Sequence, residues 1–207
     1  YGLKLAAWQN RYRNYLGQIP TGVRRDADGR SSRNGPLTDC GDGTSAESGC
    51  NAAILPEFAL VALPARYTGF EMEGRRRLVE APGKVDLVLR IEALRATNLE
   101  DGSPMPRIAP LVAQLALDYR AAVWGARLEV KRAAAQNRVA ANELPTDGYT
   151  LTNFSLDYRL RGGPSTWELW FKAENLFNQL ARNHVSVLKD IAPEPGRNLA
   201  LGLRAAF

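Results

Sequence analysis

Apolar and polar residues alternate along most of this 207-residue chain. The clearest case is KVDLVLRIEALRAT, residues 84 to 97. There Val85, Leu87, Leu89, Ile91 and Ala93 share one parity, and Asp86, Arg90 and Glu92 the other. Residues 109 to 120 set Leu111, Ala113, Leu115, Leu117 and Tyr119 against Gln114, Asp118 and Arg120. Residues 123 to 136 set Trp124, Ala126, Leu128 and Val130 against Arg127, Glu129 and Lys131. In 149 to 160, Phe154, Leu156, Tyr158 and Leu160 oppose Ser155, Asp157 and Arg159. In 166 to 174, Trp167, Leu169, Phe171 and Ala173 oppose Glu168, Lys172 and Glu174. The last segment, 198 to 207, puts Leu199, Leu201, Leu203, Ala205 and Phe207 opposite Ala200, Gly202 and Arg204. With residues 1 to 16 and 58 to 78, this period of two predicts eight β-strands. As helices, the charged positions would wrap round the cylinder instead of forming one stripe. Pro64, inside the second segment, suits an edge, a strand end or a bulge better than a sheet centre.

The connections carry a second regularity. Longer stretches at 17 to 57, 98 to 108, 138 to 148 and 178 to 197 are interleaved with tight ones at 79 to 83, 121 to 122 and 161 to 165. Antiparallel strands that cross an outer membrane show this alternation, with short turns inside and longer loops outside. The predicted strands exceed the length of about five or six residues usual in soluble sheets. Tyr119, Trp124, Tyr158 and Trp167 sit near strand ends on the apolar parity, where an aromatic girdle would lie. The other parity mixes both charge signs with small residues, as a polar lumen wall would. The expected fold is all-β, a transmembrane antiparallel barrel with Arg90, Arg120, Arg127, Arg159, Lys172 and Arg204 facing inward among carboxylates. A soluble sandwich that packs the apolar parity inward is the alternative reading of the same alternation.

Charge and composition narrow this little. The formal charge is +5, and its compact basic runs, such as Arg24-Arg25 and Arg75-Arg76-Arg77, are short. Nucleic-acid binding would want clustered basic residues interleaved with stacking aromatics, so none is expected. No stretch approaches the roughly 18 apolar residues of a spanning helix. The chain opens on Tyr1 in strand-like sequence, as a mature piece or a fragment would. Cys40 and Cys50 flank one Gly- and Asp-rich stretch without a nearby histidine. A local disulfide in an oxidising compartment is expected, two free thiols being the alternative.

From about Pro110 onward the chain resembles the C-terminal barrel region of TonB-dependent outer-membrane receptors. The likeness is densest in NELPTDGYTLTNFSLDYRL and in FKAENLFNQLARNHVSVLKDIAPEPGRNLALGLRAAF. Asn175-Leu176-Phe177-Asn178 stands where the family's penultimate strand ends. Pro195-Gly196-Arg197 precedes a final strand closing on the aromatic Phe207, and YTGFEMEG is similar to the family's Gly-Phe-Glu strand. The resemblance implies that these are about the last eight strands of a 22-stranded multi-pass barrel occluded by an N-terminal plug. It further implies uptake of a metal or metal complex (siderophore, haem or zinc) driven by the TonB–ExbB–ExbD complex. Phe207 would then be the signal read by the barrel assembly machinery. Residues 181 to 198 resemble a subgroup associated with zinc or haem-type uptake, although this chain has a single histidine.

Candidate chemistry is sparse. His184, with Asp190 as partner, offers a metal or substrate contact in the last long loop, against simple loop hydrogen bonding. Asp26, Asp28, Asp39, Asp42 and Glu47 make the first loop oxygen-rich, but only Asp26-Ala27-Asp28-Gly29 approaches the spacing of a Ca2+ loop. No nucleophile elbow, His-Glu-x-x-His, phosphate loop or dinucleotide fingerprint occurs, and an enzyme is not expected. A passive or structural barrel serving as a pore or in adhesion is the second functional reading.

Overall fold

The computed structural model describes residues 1–25, 31, 55–141, 143–162 and 165–206. They form one antiparallel sheet in which each strand pairs with its neighbours in sequence. The strands are β1 (Gly2–Arg25), β2 (Leu55–Val79), β3 (Lys84–Asn98), β4 (Val112–Arg120), β5 (Trp124–Ala133), β6 (Tyr149–Gly162), β7 (Ser165–Glu174) and β8 (Asn198–Ala206). Cys40, Cys50, the acidic residues at 26, 28, 39, 42 and 47, and Phe207 lie outside the described residues.

All eight expected strands are present, with shifted ends. Residues 17 to 25 and 55 to 57 were expected as loop but continue the β1–β2 hairpin, with Ile19 opposite Ala59 and Arg24 opposite Pro56. Their side chains lack a sustained alternation, yet pairing satisfies backbone groups that side-chain pattern does not report. β4 starts only at Val112, beyond Pro110, which has no N–H for a ladder. Pro64 lies within β2 opposite a bulge. Tyr12 pairs with Ala65 and Tyr15 with Leu63, so Arg13 and Asn14 face Pro64 together and its missing donor falls where the ladder is already broken.

Directly opposed residues share a face of a sheet. One row runs Arg77, Asp86, Asp118, Arg127, Ser155, Lys172, Ala200 across seven strands. A row on the other face runs Leu87, Leu117, Leu128, Phe154, Ala173, Leu199. The two parities of the sequence are therefore the two faces of a single sheet. On the apolar face Leu115, Leu117, Leu128 and Leu169 lie in interior strands, yet remain 41% to 46% exposed. A sandwich would cover these residues with a second layer; among the described residues nothing does.

What is packed lies on the other side. At the long-loop end the polar parity turns apolar, and loops fold onto it. Met105 and Ile108, from the β3–β4 loop, bury themselves against Leu63, Ala65 and Ala96. Ala181, from the β7–β8 loop, packs on Ala133 and Tyr149. The long loops thus roof the polar face and leave the apolar face bare. β1 and β8 are the two edges and make no contact with each other.

Candidate functional site

Three long loops build the roof: residues 99–111, 134–148 and 175–197. The last is closed at its base by two asparagines. Asn175 and Asn178 adopt left-handed backbone conformations, φ 48° and 54°, which Asn tolerates better than most non-glycine residues. The buried Asn175 amide donates to the carbonyls of Gln179 (2.9 Å) and Pro195 (3.1 Å), while its Oδ1 accepts the Gln179 N–H at 2.8 Å. Asn178 Oδ1 accepts the Arg197 N–H at 3.0 Å. A Cβ on Gly196 would stand 2.7 Å from that oxygen, so a larger residue there would push the Asn178 side chain aside. Between the asparagines, Leu176 donates its N–H to the Thr152 carbonyl at 2.9 Å and Phe177 is exposed.

Above this clamp the loops meet at one carboxylate. Glu143 Oε1 accepts the backbone N–H of Arg107 at 2.9 Å, and Oε2 accepts that of Ala140 at 3.1 Å. The same Oε1 stands 3.2 Å from His184 Nε2, close but poorly aligned for a hydrogen bond. His184 is 2% exposed, and its Nδ1 lies 3.0 Å from Thr146 Oγ1. Burial pushes the imidazole below its ordinary pKa, against the opposing pull of the Glu143 charge. The buried Lys189 donates to the Leu144 carbonyl and to Asp190 Oδ1, the latter at 3.1 Å.

Beside this junction is a cavity of about 600 Å³, walled in part by the β1–β2 hairpin. Its lining mixes Asn98, Asp101, Met105, Glu143, Lys189 and Asp190 with Phe58 and Leu63 of β2. The Ser103 hydroxyl, followed by the Ser103 backbone N–H, holds the Asp101 carboxyl below its ordinary pKa, so it is anionic at neutral pH. The site can hold a polar solute by charge and hydrogen bonding. Among the described residues, no three His, Cys, Asp or Glu side chains come close enough to hold a metal ion.

Farther from the loops the polar face is a lattice of ion pairs. Arg127 reaches Asp118 at 2.7 Å and Glu129 at 2.8 Å, Arg120 reaches Asp157 at 3.3 Å, and Arg159 reaches Glu168 at 3.3 Å. Arg90 is 3.7 Å from Glu73, and Arg204 is in register with Glu168. Lys172 instead lies over the Trp170 ring, 5.5 Å from its centroid. The buried Asp86 is held between Arg75 and Arg77.

The expected His184–Asp190 partnership is not what the loop assembles. Asp190 pairs with Lys189, and both imidazole nitrogens are directed at Thr146 and Glu143. Sequence reasoning missed Glu143, Thr146 and Lys189. Glu143 and Thr146 lie in the NELPTDGY segment singled out above, but nothing in its spacing tells that its carboxylate reaches two other loops.

The model of the family "TonB dependent receptor-like, beta-barrel" matches residues 1–176. The chain belongs to that family. Its members are outer-membrane transport proteins without catalytic activity. Among solved structures, the copper transporter OprC superposes with a TM-score of 0.61 at 21% sequence identity. That match covers 97% of this chain and 28% of the OprC chain, so the receptor segment spans little more than a quarter of the length of this relative. The likeness extends the shared fold past residue 176 to β8, beyond the family match. Barrels that cross an outer membrane present apolar side chains to lipid and polar ones to the lumen.

Proposed function

We propose that this chain is about the last eight strands of a 22-stranded multi-pass outer-membrane receptor that imports a metal or metal complex in a TonB-dependent manner. A plug domain elsewhere in the protein occupies the lumen, and the TonB–ExbB–ExbD complex supplies energy through it. The observation that carries the reading is the division of the sheet. One face is leucine-rich and bare; the other is charged and covered by interlocked loops around a cavity. A passive eight-stranded pore would need β1 to pair with β8, and these edges stand apart.

The cargo reading covers siderophore, haem and zinc, with copper added by the name of the structural relative. The cavity offers the carboxylates of Asp101, Glu143 and Asp190, the buried His184 imidazole is not part of its lining, and there is no three-ligand cluster among the described residues. That suits a complex held by many weak polar contacts better than a bare ion held by the chain's own ligands. The test is growth of a deletion strain under limitation for zinc, copper, iron chelate or haem in turn. A defect confined to one source, restored by the gene but not in a strain lacking TonB, is expected. Equal growth on every source removes the metal-uptake reading.

A further inference from the structure

The apolar face has a feature that lipid-tail contact does not explain. Its charged residues in the paired register, from Leu3 to Arg11 in β1 and from Arg66 to Leu78 in β2 and then through β3 to β8, are all arginines. The polar face by contrast mixes both signs row by row. Arg11 and Arg66 are direct cross-strand partners, a like-charge pairing that is unfavourable without a counter-charge. Arg66 is next opposed by Thr97, and Arg95 by Thr68. Arg132 of β5 is opposed by Thr150, to whose Oγ1 it donates at 3.1 Å.

These four exposed arginines are not scattered in height. Arg132 lies one outward position beyond Val130, Arg95 one beyond Ala93, and Arg66 and Arg11 one step higher still. The line climbs from β5 to β1, as a membrane border does across tilted strands. It marks the long-loop end of the leucine band. At the short-turn end stand Tyr119, Trp124, Tyr158 and Trp167 on the same face, with Trp124 and Tyr158 rings 4.2 Å apart. A fifth cation arrives from above. Arg138 of the β5–β6 loop donates to the Ala96 carbonyl at 2.7 Å and to Thr97 Oγ1 at 2.9 Å. No ion pair in the described residues involves any of the five.

We propose that Arg11, Arg66, Arg95 and Arg132, with Arg138 at the rim, form a docking surface for the phosphate groups of lipids in the outer leaflet. The occupant follows from two observations together. The cluster is cationic with no ion-pair partner among the described residues, and it is continuous with a leucine surface that receives acyl chains. Guanidinium forks suit phosphate oxygens bidentately, which explains arginine in place of lysine throughout. A soluble anion would satisfy the charge but not the continuity with the apolar band.

The test uses the full-length receptor, purified in detergent and stripped of lipid, with binding read by native mass spectrometry. The probe is diphosphorylated lipid A. On wild-type protein, removing both phosphates from the probe is expected to lower binding at least tenfold; equal binding of the two forms overturns the proposal without any variant. The Arg11→Gln/Arg66→Gln/Arg95→Gln protein, shown folded by its heat-modifiable gel mobility, is expected to lose a similar factor. At roughly 1 kcal/mol per basic residue, each single change should cost about fivefold. Arg76→Gln, on the same face at the opposite border, should bind as wild type. Unchanged binding in the folded triple variant, or an equal loss with Arg76→Gln, overturns the proposal. Inorganic phosphate at the same phosphate concentration should not compete; full competition would mark a free-anion site and overturn the lipid assignment. The proposal rests on the membrane reading of the sheet and not on the identity of the cargo, so this assay and the growth assay fail independently.

Discussion

Asn178 and Arg197, 19 residues apart, are joined by a 3.0 Å hydrogen bond that closes the base of the last long loop. Two properties of Asn178 are used there: its side-chain acceptor and its tolerance of positive φ. Asn178→Gly should lose only the first, about 1 kcal/mol of local stability. Asn178→Ala should lose both, about 2–3 kcal/mol. Hydrogen exchange across residues 178 to 197 reads the difference as faster local opening. Equal exchange in the two variants would show that backbone conformation is not part of the clamp.

Trp170 lies flat over Gly202 on the polar face, where a Cβ would fall 2.2 Å from the indole. Gly202→Val must therefore displace the ring, and the expected cost is about 1–3 kcal/mol. It should also shift tryptophan emission, because the ring leaves its seat beside Lys172. Unchanged emission and thermal midpoint would mean that the ring is not held there.

The buried His184 is predicted to make loop packing pH-dependent. Its folded-state pKa lies below the ordinary value, so the unfolded loop binds the proton more tightly. The contribution is fully present above about pH 6.5 and is lost as pH falls through the folded pKa. The opening equilibrium of residues 134 to 148 and 175 to 197, read from hydrogen exchange corrected for its intrinsic pH dependence, should rise as the pH is lowered from about 7.5 to about 5.5. In His184→Gln that pH dependence should disappear; its persistence would assign the effect to another group.

Lipid contact on the leucine rows gives a directional test. Leu128→Arg, in a row of leucines and Phe154, should destabilise the assembled barrel by about 2–4 kcal/mol. Ser155→Arg, one position along on the opposite face, should cost far less. Folding yield into lipid vesicles and urea unfolding there measure both. Similar losses would mean that the two faces do not differ in environment.

The strands were legible because their side chains obey one simple rule: from Val85 to Ala93 every second residue is apolar, with only Val88 apolar on the other parity, and the sheet keeps that pattern in register over eight strands. The hairpin beyond Leu16 was not legible. Its pairing is maintained by backbone groups, and Gly17-Gln18-Ile19-Pro20 shows no period to betray it. The Asn-Leu-Phe-Asn and Pro-Gly-Arg elements could be found by likeness, but their mutual contact is a tertiary fact. His184 was conspicuous as the only histidine, whereas the partner that defines its environment, Glu143, is one glutamate among many. The arginine girdle was hidden for a different reason. Each of its members occupies an ordinary strand position, and only the register aligns them.

Glu143 is touched by the loops on both sides of it: its oxygens hold Arg107 from one, Ala140 from its own, and face His184 from the third. Displacing any one of these loops strips a buried carboxylate of a partner that the other two cannot replace. The roof should consequently open as one cooperative unit, with a single exchange rate shared by all three segments. A solute entering the cavity would then meet two states of the mouth, latched or released, in place of three independently fluctuating flaps.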